Sequence, residues 1–566
     1  NFFRINFLSI PFLQQKIRIR GGKMKNIKKV LALLMAFVLC FSILSGCSSG
    51  KTENSNAETK TEEFTPTQEG KDPFGDGFTG YPIKAENATL RLWTTGLTYH
   101  KDYASEAESP YHQYLSEFTG VKIIWERPAA GEDGEQAYNL LLASGDLPDI
   151  MFIGGLASKA EILINEGYIV TLDEYMPKYA PALYTYLKKN PDTMKAVKTD
   201  SGKLYTFPFL REDVVWQGSY VGNMVNVEFL NQAGLNKPET LDEWVEAFYA
   251  LKDVSDIVFA TNAAIRLKYF FANAFGIGVD NYYVDDNIVK ASFVGDKYYE
   301  FLKLARQLYK DGLIDPDFAT ADTTGFTSLF VASKVALACT GTVTPGYFYN
   351  QIVKRDGKWN YEPVPYPVAK KGDPIRYIQG EALWTQNGAV ITTACKNIGL
   401  ACRFLDYGFT EEGIITWNFG KEGESFEYVN GVPKLLPKIT EAEEGVSNAV
   451  SRYTSMTANG ISFMSLEFNR QRNIEFSNWM TDVCTANAEE AIKHRMPAVT
   501  VTETEARELA DLQTAIDTYV NEMYIGFIIG TEDLNNYDKY VSNLESMGLK
   551  RVLEIKQAQL DRYNAR

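Results

Sequence analysis

The stretch Asn139-Leu140-Leu141-Leu142-Ala143-Ser144-Gly145-Asp146-Leu147-Pro148-Asp149-Ile150-Met151 constrains the fold of this chain more than any other. Gly145 stands where a helix must stop, because a residue free to take positive φ closes the last turn. Pro148 cannot continue a helix and pushes Leu147 towards an extended conformation. Ile150-Met151-Phe152-Ile153 then reads as a short buried strand ended by Gly154-Gly155. Upstream, residues 88–95 alternate as a first strand, 110–119 carry Tyr111, Tyr114, Leu115 and Phe118 at helical spacing, and Gly120 stops that helix. Residues 121–126 form a second strand and 136–144 a second helix. Strand–helix–strand–helix–strand predicts a doubly wound α/β start with a parallel sheet. Ligands of such sheets lie beyond the carboxyl ends of the strands, which places Trp93, Thr95, Trp125 and Gly155 at the rim of a site.

Leu142 to Asp149 resembles the LASGDLPD segment of extracellular solute-binding lipoproteins, the capture subunits of ABC importers, in the branch that handles oligosaccharides. Residues 167–175, 200–208, 227–244, 311–316, 519–524, 537–541 and 547–549 continue the resemblance in the family's order, so that it spans roughly 85 to 563. Thr240 and Glu243 have the spacing of a capping box. The resemblance implies an α/β, two-lobed, periplasmic-binding-protein-like type II fold. Mixed sheets flanked by helices would face a cleft between the lobes. Lobe 1 would take residues 85–212 and 368–432, and lobe 2 residues 213–367 and 433–566. The first crossing would run through 209–216, which makes Arg211, Trp216 and nearby Tyr220 site candidates. A strand over 334–342 would bring Thr342 to the cleft, and the return through 381–384 would add Glu381 and Trp384.

At 566 residues the chain is too long for one core, which agrees with two lobes. The net charge is −15, and residues 1–47 hold eight Lys or Arg and no Asp or Glu, so the remainder is more acidic than the whole. Such a body argues against nucleic acid as a partner. Aromatic residues make up 13%, a surplus that suits stacking on sugar faces. The three His and six Cys show no metal-ligand spacing. Cys395 and Cys402, if on one helix, lie about 10 Å apart along its axis, too far for a disulfide. Cys339, Cys395, Cys402 and Cys484 read as small buried hydrophobes, or at most one long-range pair. Alginate-binding relatives carry a calcium loop after the helix that follows Thr240. Residues 251–257 offer two carboxylates and no Gly turn there, so no calcium and no cofactor is expected.

Met24 reads as the initiator, with residues 1–23 as upstream sequence translated in frame. Residues 24–46 have a basic start and an apolar run that is short for a membrane span and right for a signal peptide. Leu44-Ser45-Gly46-Cys47 matches the bacterial lipobox, making Cys47 the lipidation site. Residues 47–84 comprise that lipidated Cys and a polar, disordered tether.

Each candidate has a structural competitor. A lone Trp is more often packing than ligand contact; Trp93 and Trp216 are balanced between the two, Trp384 is weaker, and packing competes for Tyr220. Trp244 and Trp479, on predicted helices, read as core. Arg211 and Glu381 could anchor sugar hydroxyls or form an interlobe ion pair. The adjacent carboxylates at 62–63, 285–286, 411–412 and 443–444 do not face each other as glycosidase catalysis needs, and most fall in predicted loops or the tether. No G-x-S-x-G or P-loop is present. The expectation is therefore a monomeric, non-enzymatic binding protein, lipid-anchored on the extracytoplasmic face of the membrane. It would capture an oligosaccharide and deliver it to two permease subunits driven by a cytoplasmic ATPase. A binding protein for peptide or other polar solute, and a secreted carbohydrate-active enzyme, are the alternatives.

Overall fold

The computed structural model describes residues 78, 80–85, 88–94, 103, 106–129, 132–332, 334–442, 446–454 and 462–566, all within one compact unit that begins at Thr61. The signal peptide, Cys47, the tether through residue 77, Thr95 and the carboxylates at 443–444 lie outside the described residues.

The opening motif folds as its punctuation dictates. Asp133 accepts the Gln136 amide to start the helix Gly134–Ser144, and Gly145 closes it at φ 72°. The next strand is Ile150–Ile153, buried along its whole length. The strands in chain order are β1 (Thr89–Thr94), β2 (Lys122–Glu126), β3 (Ile150–Ile153), β4 (Phe207–Arg211), β5 (Val221–Asn226) and β6 (Ile257–Thr261). They continue with β7 (Tyr282–Asp285), β8 (Ile288–Ala291), β9 (Val335–Gly341), β10 (Tyr361–Val364) and β11 (Trp384–Ile391). The last are β12 (Phe426–Val429), β13 (Val432–Leu435) and β14 (Ser462–Met464).

The first sheet runs β14-β4-β11-β3-β1-β2. β1 is parallel to β2 and β3, as expected, and β11 enters antiparallel between β3 and β4. Its core includes Leu92, Ile150, Phe207, Trp384, Phe404 and Trp417. The second sheet runs β10-β5-β9-β6. Here the two-residue period of a strand is visible in what each face buries. Val225, Leu337 and Phe259 enter one core, while their neighbours Met224, Ala338 and Ala260 enter another. The sheet is thus covered on both faces.

Ser462–Met464 pairs in parallel with β4, in a region the sequence reading assigned to the second lobe. Thr240 and Glu243 form the expected capping box. All four described cysteines are buried and free. Of the adjacent carboxylates, Glu411 and Glu412 form the first turn of the helix Glu411–Phe419, where acidic groups complement the helix dipole. Trp244 is core, but Trp479 is 42% exposed. Its helix, Glu475–Thr485, buries Phe476, Ser477, Met480, Thr481 and Cys484, and Trp479 falls off that stripe.

An ion cluster joins the first core to the second. Asp200, on the turn below the first sheet, accepts from Arg562 Nε at 2.7 Å and Arg566 Nη2 at 2.6 Å. Arg562 also binds Glu505 at 2.6 Å. Burial opposes ionisation of Asp200, but hydrogen bonds from Thr500, Arg562 and Arg566 outweigh it and hold the carboxyl below its ordinary value. Stability from a depressed carboxylate is present above the unfolded pKa of about 4 and is lost as pH falls through the folded value. Asp200→Asn is therefore expected to lower the urea midpoint at pH 7 and to flatten the dependence of that midpoint on pH below about 4. An unchanged acid limb would place the acid sensitivity elsewhere.

Candidate functional site

Two segments cross between the sheets side by side. After Arg211 the chain turns at Asp213, whose carboxylate accepts the amides of Val215 and Trp216 at 3.0 and 2.9 Å, and then enters β5. The return strand pairs with it: Glu381 N donates to Gly218 O at 2.9 Å, and Arg211 N to Leu383 O at 3.0 Å. A Cβ on Gly218 would stand 2.3 Å from Val214 O and 2.6 Å from Glu381 O, so only glycine permits this approach. Gln217 ties the crossing to the end of β14 by donating to Met464 O at 2.8 Å.

Four of the expected site residues meet here. Arg211 ends β4, is 8% exposed, and forms an ion pair with Glu381, whose side chain is 44% exposed. Burial, then Arg472, push the Arg211 pKa down to about 10, with Tyr220 raising it and Arg495 lowering it; the Glu381 carboxylate is its ion-pair partner. Tyr220, 36% exposed, follows the crossing. Burial raises its pKa, the Gln379 side chain lowers it, Asp280 raises it, and Arg266 and Arg211 lower it. Thr342 is buried and donates its amide to Tyr220 O at 3.1 Å. Beneath them, Asn262 accepts from Thr340 Oγ1 at 2.9 Å and from Arg266, and Asn262 Nδ2 donates to Thr323 Oγ1 at 3.2 Å.

Several buried polar atoms at this crossing lack a hydrogen-bond partner: Arg211 Nε, Ser219 Oγ, Gln379 Oε1, and Nε and Nη2 of Arg495. Buried polar groups are normally satisfied, so these atoms keep hydrogen-bonding capacity that water or another molecule can meet. Val343 and Tyr347, just past β9, add exposed apolar surface.

The expected tryptophans are buried. Trp384 is 1% exposed, its indole N–H donates to Asn387 O at 3.0 Å, and its ring packs edge-on to Tyr205. Trp93 lies in the same core against Tyr138. Trp216 is buried, with its indole N–H on Asp482 at 2.7 Å and Arg470 over its ring. Gly155, at φ 66°, caps the helix Leu156–Asn165 beyond β3. Trp125 packs against His112. Sequence reasoning passed over Gly218, Gln379, Gly380, Arg266 and Arg495, which no local motif marks. It also passed over Gln386, held at φ 61° where the register of β11 shifts. A non-glycine residue at positive φ beside a bulge is a common device for re-aiming a strand end.

Among the described residues no three His, Cys, Asp or Glu side chains gather as metal ligands. In the segment 251–257, Asp256 accepts the Lys334 amide at 3.1 Å.

The profile of the bacterial extracellular solute-binding proteins matches residues 101–415, more than half of the chain. The chain belongs to this family. Within it, the fructooligosaccharide ABC transporter substrate-binding protein FusA of Streptococcus pneumoniae serotype 4 is 23% identical over 581 residues, covering 96% of this chain and 99% of FusA. Lipoprotein LipO of Bacillus subtilis is 20% identical over 71% of this chain and 75% of its own. The solved structure of FusA in complex with kestose aligns with TM-score 0.66 at 23% identity, over 84% of this chain and 99% of that one. The alginate-binding protein AlgQ2 without calcium ion aligns with TM-score 0.67 at 21% identity, over 84% and 98%. The fold of this solute-binding protein is therefore the expected one, two lobes of mixed sheet flanked by helices.

Proposed function

We propose that this solute-binding protein captures an oligosaccharide at the crossing between its lobes and delivers it to two ABC permease subunits driven by a cytoplasmic ATPase. The observation that carries this reading is the set of unpartnered buried polar atoms around the Arg211–Glu381 pair, with the half-exposed Tyr220 ring beside them. Sugars offer many hydroxyls to such groups and an apolar ring face to an aromatic. FusA, by its name a fructooligosaccharide-binding subunit of a transporter, supports the same reading over nearly the whole chain. On this proposal lobe 1 comprises 85–212, 368–432 and the continuation through Met464, because β14 pairs with β4. The rest is lobe 2. A ligand bridging both lobes shifts the hinge equilibrium towards closure. Anchoring through Cys47, on the outer face of the membrane, is supported by the lipobox and by the likeness to LipO. The protein acts as a monomer, without nucleic acid and without catalysis.

Calorimetry and thermal shift against oligosaccharide and peptide panels test the proposal, since a ligand bound only by the folded state raises its melting temperature. Saccharides are expected to bind and to be recovered chemically unchanged. Tyr220→Ala is expected to weaken that binding by about 2- to 12-fold, the worth of one aromatic contact. Binding of peptides alone, or cleavage of the bound sugar, would overturn the reading.

A further inference from the structure

Among the described residues, five that are not glycine have positive φ: Asp286, Asn287, Gln386, Asn430 and Asn487. Asp and Asn tolerate the left-handed region because their short side chains bond locally. Asp286, Asn287 and Asn430 also stand in the turns that join β7 to β8 and β12 to β13. Gln386, at φ 61°, has neither reason. Its side chain is longer, and it lies inside β11, an interior strand of the first sheet.

The sheet is built around this residue. Trp384 pairs with Leu210 and Gly388 with Pro208, so the four steps from 384 to 388 span only two on β4, and residues 385–387 bulge out of the ladder. The bulge is tied down on both sides of its crest. The Trp384 indole N–H donates to Asn387 O at 3.0 Å, Asn387 N donates to Thr385 Oγ1 at 3.2 Å, and Thr385 Oγ1 donates to Phe209 O at 3.4 Å. Two glycines make room for it. A Cβ on Gly154 would stand 2.7 Å from Asn387 Oδ1, and one on Gly388 2.4 Å from Phe207 O. Gln386 is only half-buried, and its side-chain amide makes no hydrogen bond among the described residues.

Register fixes where the crest lies. Gly388 pairs with Ile153, the last residue of β3, so residues 385–387 lie beyond the carboxyl end of that strand. β4 ends beside them at Arg211, and Glu381 precedes them on the same return segment. This is the end of the sheet where ligands of such folds bind. A strained backbone persists only where its surroundings over-determine it. Here the bonds and glycines around the bulge do so, and what they present is one accessible, unpartnered amide.

We infer that Gln386 is a ligand-contact residue, and that its amide takes hydroxyls of the captured saccharide. The group donates and accepts at once, as a sugar hydroxyl does, so it can meet a pair of hydroxyls in either sense. This rests on the reading of the crossing as a saccharide site, and gives the first lobe a polar contact besides Arg211.

Three variants test it. Glycine takes φ 61° without strain, so Gln386→Gly is expected to melt at the temperature of the unaltered chain or above it. Calorimetry on the full chain with maltotriose, xylotriose and kestose, neutral trisaccharides that differ in ring and linkage, reads the contact. A trisaccharide that binds the unaltered chain is expected to bind Gln386→Gly about 2- to 12-fold more weakly, the worth of one neutral hydrogen bond. Gln386→Met keeps the length and the strained backbone and lacks only the amide, so it is expected to lose affinity to the same extent. Gln386→Asn keeps an amide on a side chain suited to positive φ and is expected to recover part of the loss. Glycine and methionine variants that bind the sugar as tightly as the unaltered chain, or a glycine variant that melts well below it, overturn the assignment and leave saccharide capture in place. Silence from all three trisaccharides towards the unaltered chain overturns both.

Discussion

Trp384→Ala is expected to lower the free energy of unfolding by about 3–5 kcal/mol, the usual cost of emptying a buried aromatic site. The ring is buried at the start of β11, whose Trp384 pairs with Leu210 of β4, it packs edge-on to Tyr205, and its one polar atom is satisfied by Asn387 O. Truncation leaves a cavity that the close-packed surroundings close only in part. The same residue was expected to line the cleft, and the two roles separate cleanly. A cleft residue would lose ligand affinity on truncation and cost little stability; a core residue does the reverse. Denaturation in urea read beside calorimetry of Trp384→Phe decides between them. The Phe variant keeps most of the volume, so ligand affinity close to that of the unaltered protein fits the core role. A Phe variant that is stable and unable to bind would return Trp384 to the site.

That residue illustrates which parts of the molecule are legible in the sequence. Features set by a few neighbouring residues were read correctly. Gly120 and Gly145 stop helices, Thr240 and Glu243 cap one, and Ile150–Ile153 is a strand, because φ preferences, caps and apolar runs act locally. Exposure of single tryptophans was read less well, since Trp93 and Trp384 sit at strand ends whose neighbours arrive from far along the chain. Asp406 shows the same limit in the other direction. It accepts the amides of Ala182 and Leu183, closing the start of a helix 223 residues away in sequence from its Leu183 contact. No motif near either segment announces that bond. β14 is three residues long, too short for a periodic signal, and only pairing with β4 makes it a strand. Arg495 reaches Glu381 across 114 residues. Arg211, Tyr220, Thr342 and Glu381 lie together at the crossing, where the family resemblance had led us to expect them. The glycines and the second arginine were missed because their roles exist only once the two segments lie side by side.

Arg211→Ala is expected to weaken saccharide binding by about 10- to 150-fold, which corresponds to about 1.5–3 kcal/mol for hydrogen bonds made by a charged group. The side chain brings one engaged edge and one unpartnered nitrogen to the crossing, and its truncation removes both. Folding should suffer less than binding. Breaking a buried pair is severe when the surviving charge stays out of water, but Glu381 is 44% exposed on its side chain and can rehydrate. Loss of Arg211 also relieves the repulsion it shares with Arg472 and Arg495, which offsets part of the stability cost. Arg211→Lys should recover little affinity, because a point charge replaces a planar donor set. Glu381→Gln is the complementary variant. It keeps the shape of the pair and removes its negative charge, so it should cost less saccharide affinity than Arg211→Ala. An Arg211→Ala protein that binds saccharide as well as the unaltered chain, at equal thermal stability, would move the site away from the crossing.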